Sequence, residues 1–302
     1  MDYRILGPLE VSDGDRPIAL GGEKQRALLA MLLLHAGEVV SADRLIDDLW
    51  GERAPAAAMN ALQVHVSRLR KALAGSPGAN GARSGSSPGS VLATQGHGYV
   101  LRVEPGELDL ERFQKMVQEG REALAAGDAQ RAAEWLRLGL GLWRGPALAD
   151  FTYEPFAQAP ITELEELRLG AVEDRVEADL TLGRHQQLVG ELEGLAREHP
   201  YRERVRGQLM VALYRAGRQT DALATYRELS GVLRDELGLE PGESLRELER
   251  AILRHDPSLS TPACAAWSED ADPAARAARL PAGTVTFLFT DIEGSNRLLR
   301  EM

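Results

Sequence analysis

The 302 residues, 44% hydrophobic and 27% charged, suffice for two packed domains and the start of a third, and exclude a fibrous or wholly disordered chain. A single cysteine, Cys264, excludes an intrachain disulfide and a cysteine-built zinc site, and the longest apolar run, Ala27 to Leu34, is far short of the roughly 20 residues that span a bilayer. The net charge of −11 is unevenly placed: residues 1–103 carry 11 Lys and Arg against 10 Asp and Glu, whereas residues 104–302 carry 24 against 36.

The near-neutral first part can therefore still meet DNA through a local basic surface, because phosphate neutralisation is a short-range effect. Met1-Asp2-Tyr3-Arg4 has no basic region leading into an apolar stretch, so a cytoplasmic protein without membrane contact is expected.

Tyr3 to Leu20 alternates short apolar stretches with turn formers, from Tyr3-Arg4-Ile5-Leu6 and Gly7-Pro8 to Leu9-Glu10-Val11, Ser12-Asp13-Gly14-Asp15 and Pro17-Ile18-Ala19-Leu20. Small antiparallel strands with a hairpin at Asp13-Gly14 follow from that alternation. Three helices come next. The first covers about Glu23 to His35, with Ala27, Leu28, Met31, Leu32 and Leu34 apolar and Gly37 as its stop. The second opens at Ser41, whose hydroxyl can cap free backbone N–H groups, carries Leu45, Ile46, Leu49 and Trp50, and ends at Gly51. Pro55 suits the first turn of the third, which runs to about Leu73.

Gly75 to Ser90 is almost wholly Gly, Ser, Pro, Ala and Asn and reads as a mobile loop. Val91 to Val103 then reads as a β-hairpin around Gly96-His97-Gly98. From Leu108 to about His255 the pattern is helical almost throughout, punctuated by Gly127-Asp128, Gly183-Arg184 and Gly217-Arg218. The last two glycines lie 34 residues apart, the period of tetratricopeptide-type helical hairpins. Gly127 lies 56 residues before Gly183, and Trp143-Arg144-Gly145-Pro146 interrupts the interval, so the first unit is irregular. Trp135, Trp143, Tyr153 and Phe156 are expected in packed core.

The fold class is thus mainly α. An N-terminal α+β winged helix-turn-helix over residues 1–103 precedes an all-α tetratricopeptide-like repeat domain over 104–255, and an Ala-, Pro- and acid-rich linker occupies 256–283. A polypeptide ending near Val103 is expected to bind a duplex alone.

In the third helix, Met59, Leu62, Val66, Leu69 and Leu73 recur at spacings of three and four, a stripe about 80° wide that must face the core. The other side displays Asn60, Val64, Ser67, Arg68 and Lys71, with Gln63 and Arg70 on one flank and His65 on the other. Long donors beside an amide and a hydroxyl can grip phosphates and reach base edges in the major groove. Arg68 and Arg70 suit guanine; Asn60 and Gln63 suit adenine. Basic residues near a helix C-terminus also simply complement its dipole and keep the face soluble. The setting, third of three helices framed by strands and followed by a hairpin, favours DNA.

Leu62-Gln63-Val64-His65-Val66-Ser67-Arg68-Leu69-Arg70-Lys71-Ala72-Leu73, followed by Gly96-His97-Gly98-Tyr99, resembles the winged-helix effector domain of the response regulators typified by OmpR. Leu142-Trp143-Arg144-Gly145-Pro146-Ala147-Leu148 resembles the bacterial transcriptional activator domain. The two in this order resemble the antibiotic regulatory protein (SARP) family of activators, over roughly residues 1–255. The resemblance implies that the third helix enters the major groove while the hairpin, with Gln95 and His97, meets the adjacent minor groove or backbone. It also implies side-by-side homodimers on direct repeats near the promoter −35 region, and recruitment of RNA polymerase holoenzyme through its sigma factor. Gln95 departs from the pattern, which often has Arg there: an amide cannot neutralise phosphate or exploit a narrow minor groove. The wing is therefore expected to contribute little beyond His97. No receiver domain precedes Tyr3, so phosphorelay control is not expected.

Gly283-Thr284-Val285-Thr286-Phe287-Leu288-Phe289-Thr290-Asp291-Ile292-Glu293-Gly294-Ser295 resembles the opening of a class III nucleotide cyclase catalytic domain. There an aspartate at the end of the first strand helps hold two magnesium ions; Asp291 matches it, and Ile292 would offer its carbonyl. The chain stops before the remaining machinery, so it is expected to be no enzyme and to need no cofactor. Two readings of other classes stand beside the activator. A helical-repeat scaffold predicts that promoter binding is indifferent to Arg68 and Arg70, and a regulatory N-terminal part of a cyclase predicts cyclic nucleotide formation by a longer chain.

Overall fold

The computed structural model describes residues 1–74 and 91–260. The expected loop at 75–90, the linker beyond Ser260, and Asp291 and Ile292 lie outside the described residues. Strands β1 (Asp2–Arg4), β2 (Glu10–Asp13) and β3 (Arg16–Pro17) form an antiparallel sheet in that order, and Asp13 pairs with Arg16, so the expected hairpin is present with its turn at Gly14-Asp15, one residue beyond Asp13-Gly14. Helix α1 (Glu23–Leu34) follows. Every residue from Ala27 to Leu33 is at most 3% exposed, because this helix is covered on all sides and serves as the pillar of the N-terminal core.

A two-residue strand not visible in the sequence pattern, β4 (Val40–Ser41), leads into α2 (Ala42–Trp50). As expected, Ser41 Oγ caps α2 by accepting from the Arg44 N–H. Helix α3 spans Ala58–Leu73, so Pro55 lies in the exposed connection before it rather than in its first turn; the Pro55 carbonyl accepts from the Ala58 N–H at 2.9 Å. Strands β5 (Leu92–Gln95) and β6 (Gly98–Leu101) make the expected hairpin, and β4 completes a second sheet in the order β4-β6-β5.

The rest is helical. Helices α4 (Asp109–Ala125) and α5 (Ala129–Leu140), α6 (Pro155–Thr181) and α7 (His185–Glu198), and α8 (Glu203–Arg215) and α9 (Gln219–Val232) are joined by tight turns, and α10 (Glu243–Leu253) follows. The three turns are one motif used three times. Gly127, Gly183 and Gly217 take φ of 78°, 76° and 76°, where a side chain would be strained. In each, the next residue's N–H reaches back five positions: Asp128 to Ala123, Arg184 to Asp179, and Arg218 to Leu213. The interval between the first two turns is long because α6 has 27 residues and an irregular excursion, 141–154, with one short 3-10 turn at Ala149–Phe151, separates it from α5.

That excursion fastens the repeats to the N-terminal sheet. Arg144 N–H donates to Leu6 O (2.9 Å), Leu148 N–H to Ile5 O (3.0 Å) and Ala149 N–H to Gly7 O (3.2 Å). The Asp109 carboxylate, 1% exposed, accepts from the Ile5 and Leu6 N–H groups at 2.9–3.0 Å, and Asp150 accepts from Leu9 N–H at 2.7 Å. Tyr3, Ile5 and Leu6 share one apolar core with Phe113, Trp143, Leu148 and Phe151. Residues 1–259 accordingly form one compact unit, and Val103 is no break in the packing. Residues 1–103 alone would expose this shared surface. Trp143 and Phe156 pack into or against the core and Trp135 is half-buried, but Tyr153 is 96% exposed, because it sits on the outer turn just before α6. No described helix is long and apolar enough to cross a membrane.

Burial pushes the Asp109 carboxyl up, opposed by the Ile5 and Leu6 amides and the Arg144 guanidinium. Removing it strands two buried donors, so Asp109→Ala is expected to cost about 3 kcal/mol in urea unfolding. Far-UV helical signal and tryptophan fluorescence should be lost together; two separated transitions would show that the halves are independent.

His185 and His65 are held below the ordinary imidazole value of 6.5, chiefly by burial and secondly by Arg215 and Arg68 respectively. The unfolded chain takes up these protons first. Their contribution to stability is complete above about pH 6.5 and drains away as the pH falls past it towards the lowered folded values. The urea midpoint should drop between about pH 7.5 and 5.5, and His185→Gln should flatten that drop. A wild-type midpoint constant over this window would contradict the assignment.

Candidate nucleic-acid interface

Helix α3 packs on α1 and α2 and buries Leu62, Val66, Leu69 and Leu73, each 3% exposed or less. The fifth member of the expected stripe is corrected: Met59, in the first turn, is 40% exposed. Asn60, Gln63, Val64, Ser67, Arg68 and Lys71 are all exposed. Among the described residues, no hydrogen bond or ion pair engages the side chain of Asn60, Gln63, Ser67, Arg68 or Lys71. These donors are available to another molecule.

The electrostatics of α3 are one-sided. It contains no acidic residue, its first turn has no capping side chain, and Arg70 and Lys71 lie in its last turn. The neighbouring α2 carries Asp43, Asp47 and Asp48. Half-buried His65 sits beside the Trp50 ring, with centroids 6.1 Å apart, and is uncharged at neutral pH for the reasons given above.

Arg70 departs from its expected place. Its Nε donates to the Leu92 carbonyl at 2.8 Å and a terminal nitrogen donates to Thr94 Oγ1 at 2.7 Å. A guanidinium engaged twice on β5 is not extended towards guanine. Sequence periodicity put Arg70 on a flank but had no means of identifying partners 22 and 24 residues further on.

The β5–β6 hairpin ends in an exposed tip, Gly96-His97, with Gln95 exposed beside it. The His97 carbonyl accepts from the N–H of Ala42, the first residue of α2, at 2.9 Å, which ties the tip to the helix-turn-helix. Gly98 pairs with Ser41, and a Cβ on Gly98 would fall 2.3 Å from the Val40 carbonyl oxygen. The glycine before Tyr99 is therefore demanded by the close approach of β4. Helix face and wing tip thus stand on one frame. The structure leaves Asn60, Gln63, Val64, Ser67, Arg68, Lys71, Gln95 and His97 open to a ligand and withdraws Arg70. Among the described residues, no three His, Cys, Asp or Glu are placed to hold a metal ion.

Two family models match. "Transcriptional regulatory protein, C terminal" covers residues 15–101, and "Bacterial transcriptional activator domain" covers 108–253. The chain is 38% identical to Regulatory protein DnrI of Streptomyces peucetius, over 86% of this chain and 94% of that protein. It is 40% identical to Transcriptional regulator RedD of Streptomyces coelicolor, over 91% of this chain and 76% of that one. Regulatory protein AfsR of Streptomyces coelicolor is 41% identical over 99% of this chain, which spans only 28% of that protein's length. The solved structure of Mycobacterium tuberculosis EmbR in complex with a low-affinity phosphopeptide matches with a TM-score of 0.78 at 39% identity, over 85% of this chain and 65% of that one.

Gly98→Ala should force β4 and β6 apart and cost about 2 kcal/mol or more, measured as a fall in the urea midpoint. An unchanged midpoint would mean that β4 yields freely and that the hairpin is not fixed by it.

Proposed function

The chain belongs to the SARP family of regulators, and on that footing we propose that it is a sequence-specific DNA-binding transcriptional activator. The observation that carries the reading is the outer face of α3: exposed amide, hydroxyl, guanidinium and ammonium donors, unpaired among the described residues, on a helix without a single acidic residue that is packed on its apolar side. A helix of this kind fits the major groove of B-DNA. Arg68 is assigned to guanine, and Asn60 and Gln63 to adenine edges. Val64, 48% exposed, meets a thymine methyl, and Ser67 and Lys71 hold phosphates. Gln95 and His97 meet the flanking minor groove or backbone.

The remainder of the proposal concerns assembly. Two copies bind side by side on direct repeats near the −35 region, and the acidic repeat domain engages RNA polymerase holoenzyme, its sigma factor included. The protein acts in the cytoplasm on promoter DNA and carries out no catalysis of its own.

Footprinting of the full chain on DNA upstream of neighbouring genes tests this directly, since it reads site, spacing and stoichiometry together. Arg68→Ala should weaken binding by about 1–3 kcal/mol and relax the requirement for one base pair, whereas Lys71→Ala should weaken all duplexes alike and reduce the salt-dependence slope by about 1. Equal affinity of the unaltered chain for the footprinted duplex and a scrambled one would end the sequence-reading proposal.

A further inference from the structure

Arg70 is the one basic residue of α3 whose side chain is half-buried, whereas Arg68 and Lys71 are exposed. Its two bonds to β5, from Nε to the carbonyl of Leu92 and from a terminal nitrogen to the hydroxyl of Thr94, use two donors of a planar fork that no other cationic side chain provides. Strand β5 is the outer strand of the β4-β6-β5 sheet, so it has a sheet neighbour on one side only. On its free side it lies against α3. The hairpin tip is held separately, through the bond between Ala42 N–H and the His97 carbonyl.

We propose that Arg70 is a positioning residue for DNA recognition, which locks the wing to the reading helix so that Gln95 and His97 meet the duplex in register with Ser67 and Arg68. This rests on the reading of α3 as the DNA-binding helix. The Ala42 bond and the pairing of β4 with β6 hold the β6 side of the hairpin, whereas β5, the outer strand, meets the helix-turn-helix through α3. The fork adds two more points along β5, ending one residue before Gln95. With β6 held by β4 and β5 held by α3, both strands of the hairpin are attached and its tip is oriented. A preorganised wing then binds without first spending free energy on ordering itself. Lysine keeps the charge but lacks the rigid planar fork that addresses both acceptors at once.

The test uses the full chain on the duplex found by footprinting. Arg70→Lys should weaken binding about tenfold, remove hydroxyl-radical protection on the minor-groove flank and leave the central protection in place. The slope of log affinity against log salt should stay at the wild-type value, because no phosphate contact is lost, in contrast to Lys71→Ala. Thr94→Val, which removes one acceptor without touching α3, should thin the flank protection in the same way, and Thr94→Ser should restore it. Adding His97→Ala to Arg70→Lys should bring little further loss, because the wing contact is already gone.

The inference is overturned if Arg70→Lys and Thr94→Val leave flank protection and affinity intact. It is also overturned if Arg70→Gln lowers the salt slope by about 1 while flank protection remains, since Arg70 would then be a phosphate contact. A wild-type chain that gives no footprint at all fails differently: it removes the DNA reading itself, and this inference with it.

Discussion

The N–H groups of Ile5 and Leu6 leave strand β1 with no strand partner, and their acceptor is the buried carboxylate of Asp109, more than a hundred residues away in the sequence. Backbone donors in a dry interior must be paired, so the carboxylate cannot be withdrawn without stranding both. The consequence reaches well beyond one bond. The sheet that begins the chain is completed by the repeat array, and the core beneath it continues from Tyr3 and Leu6 to Phe113 and Phe151. The winged helix is therefore one end of a single packed body.

The Trp143-Arg144-Gly145-Pro146-Ala147-Leu148 segment explains itself in these terms. Trp143 meets Phe113 edge-on at 5.4 Å, and the Arg168 guanidinium lies 4.8 Å from the centre of the indole ring. Arg144 bonds the Pro8 carbonyl and pairs with Glu10, both on the N-terminal side. Leu148 is held at φ 48°, a costly conformation for a side chain with a Cβ. It is fully buried and its N–H reaches Ile5, so packing and a hydrogen bond jointly hold the strained turn. A motif that reads as an interruption of the helical repeat is the clasp between its two halves.

Local rules were legible in the sequence. Ser41 caps α2, the leucine stripe of α3 faces inward, and the glycine spacing marks equivalent turns, because each depends on residues within one turn of each other. What the sequence concealed was set at a distance. The clasp joins positions over a hundred residues apart, and Arg70 finds its partners across the whole connection between α3 and β5. Strand β4 consists of two residues and exists only because β6 supplies its partner. Met59 satisfied the periodicity and still lies outside, since a period says which side a residue occupies and not how far the core extends along the helix.

Charge placement then separates the two halves functionally. The repeat domain is rich in arginine, and several of its arginines are engaged by buried carboxylates of the same domain. Asp179 receives Arg137, Arg175 and Arg184, Glu173 receives Arg202 and Arg204, and Asp174 receives Arg121 and Arg204. These carboxylates are nearly inaccessible, so breaking any set to reach DNA would leave a buried charge without compensation. Most arginines of the repeats thus hold helices together, while 36 acidic against 24 basic residues after position 103 repel a polyanion. On the proposed function, a duplex approaching this body is repelled by most of it and meets the exposed donors of α3. The total charge of the chain therefore carries no weight against the proposed DNA contact; what supports that contact is that, among the described residues, nothing pairs with exposed Arg68 and Lys71 on a helix with no acid of its own.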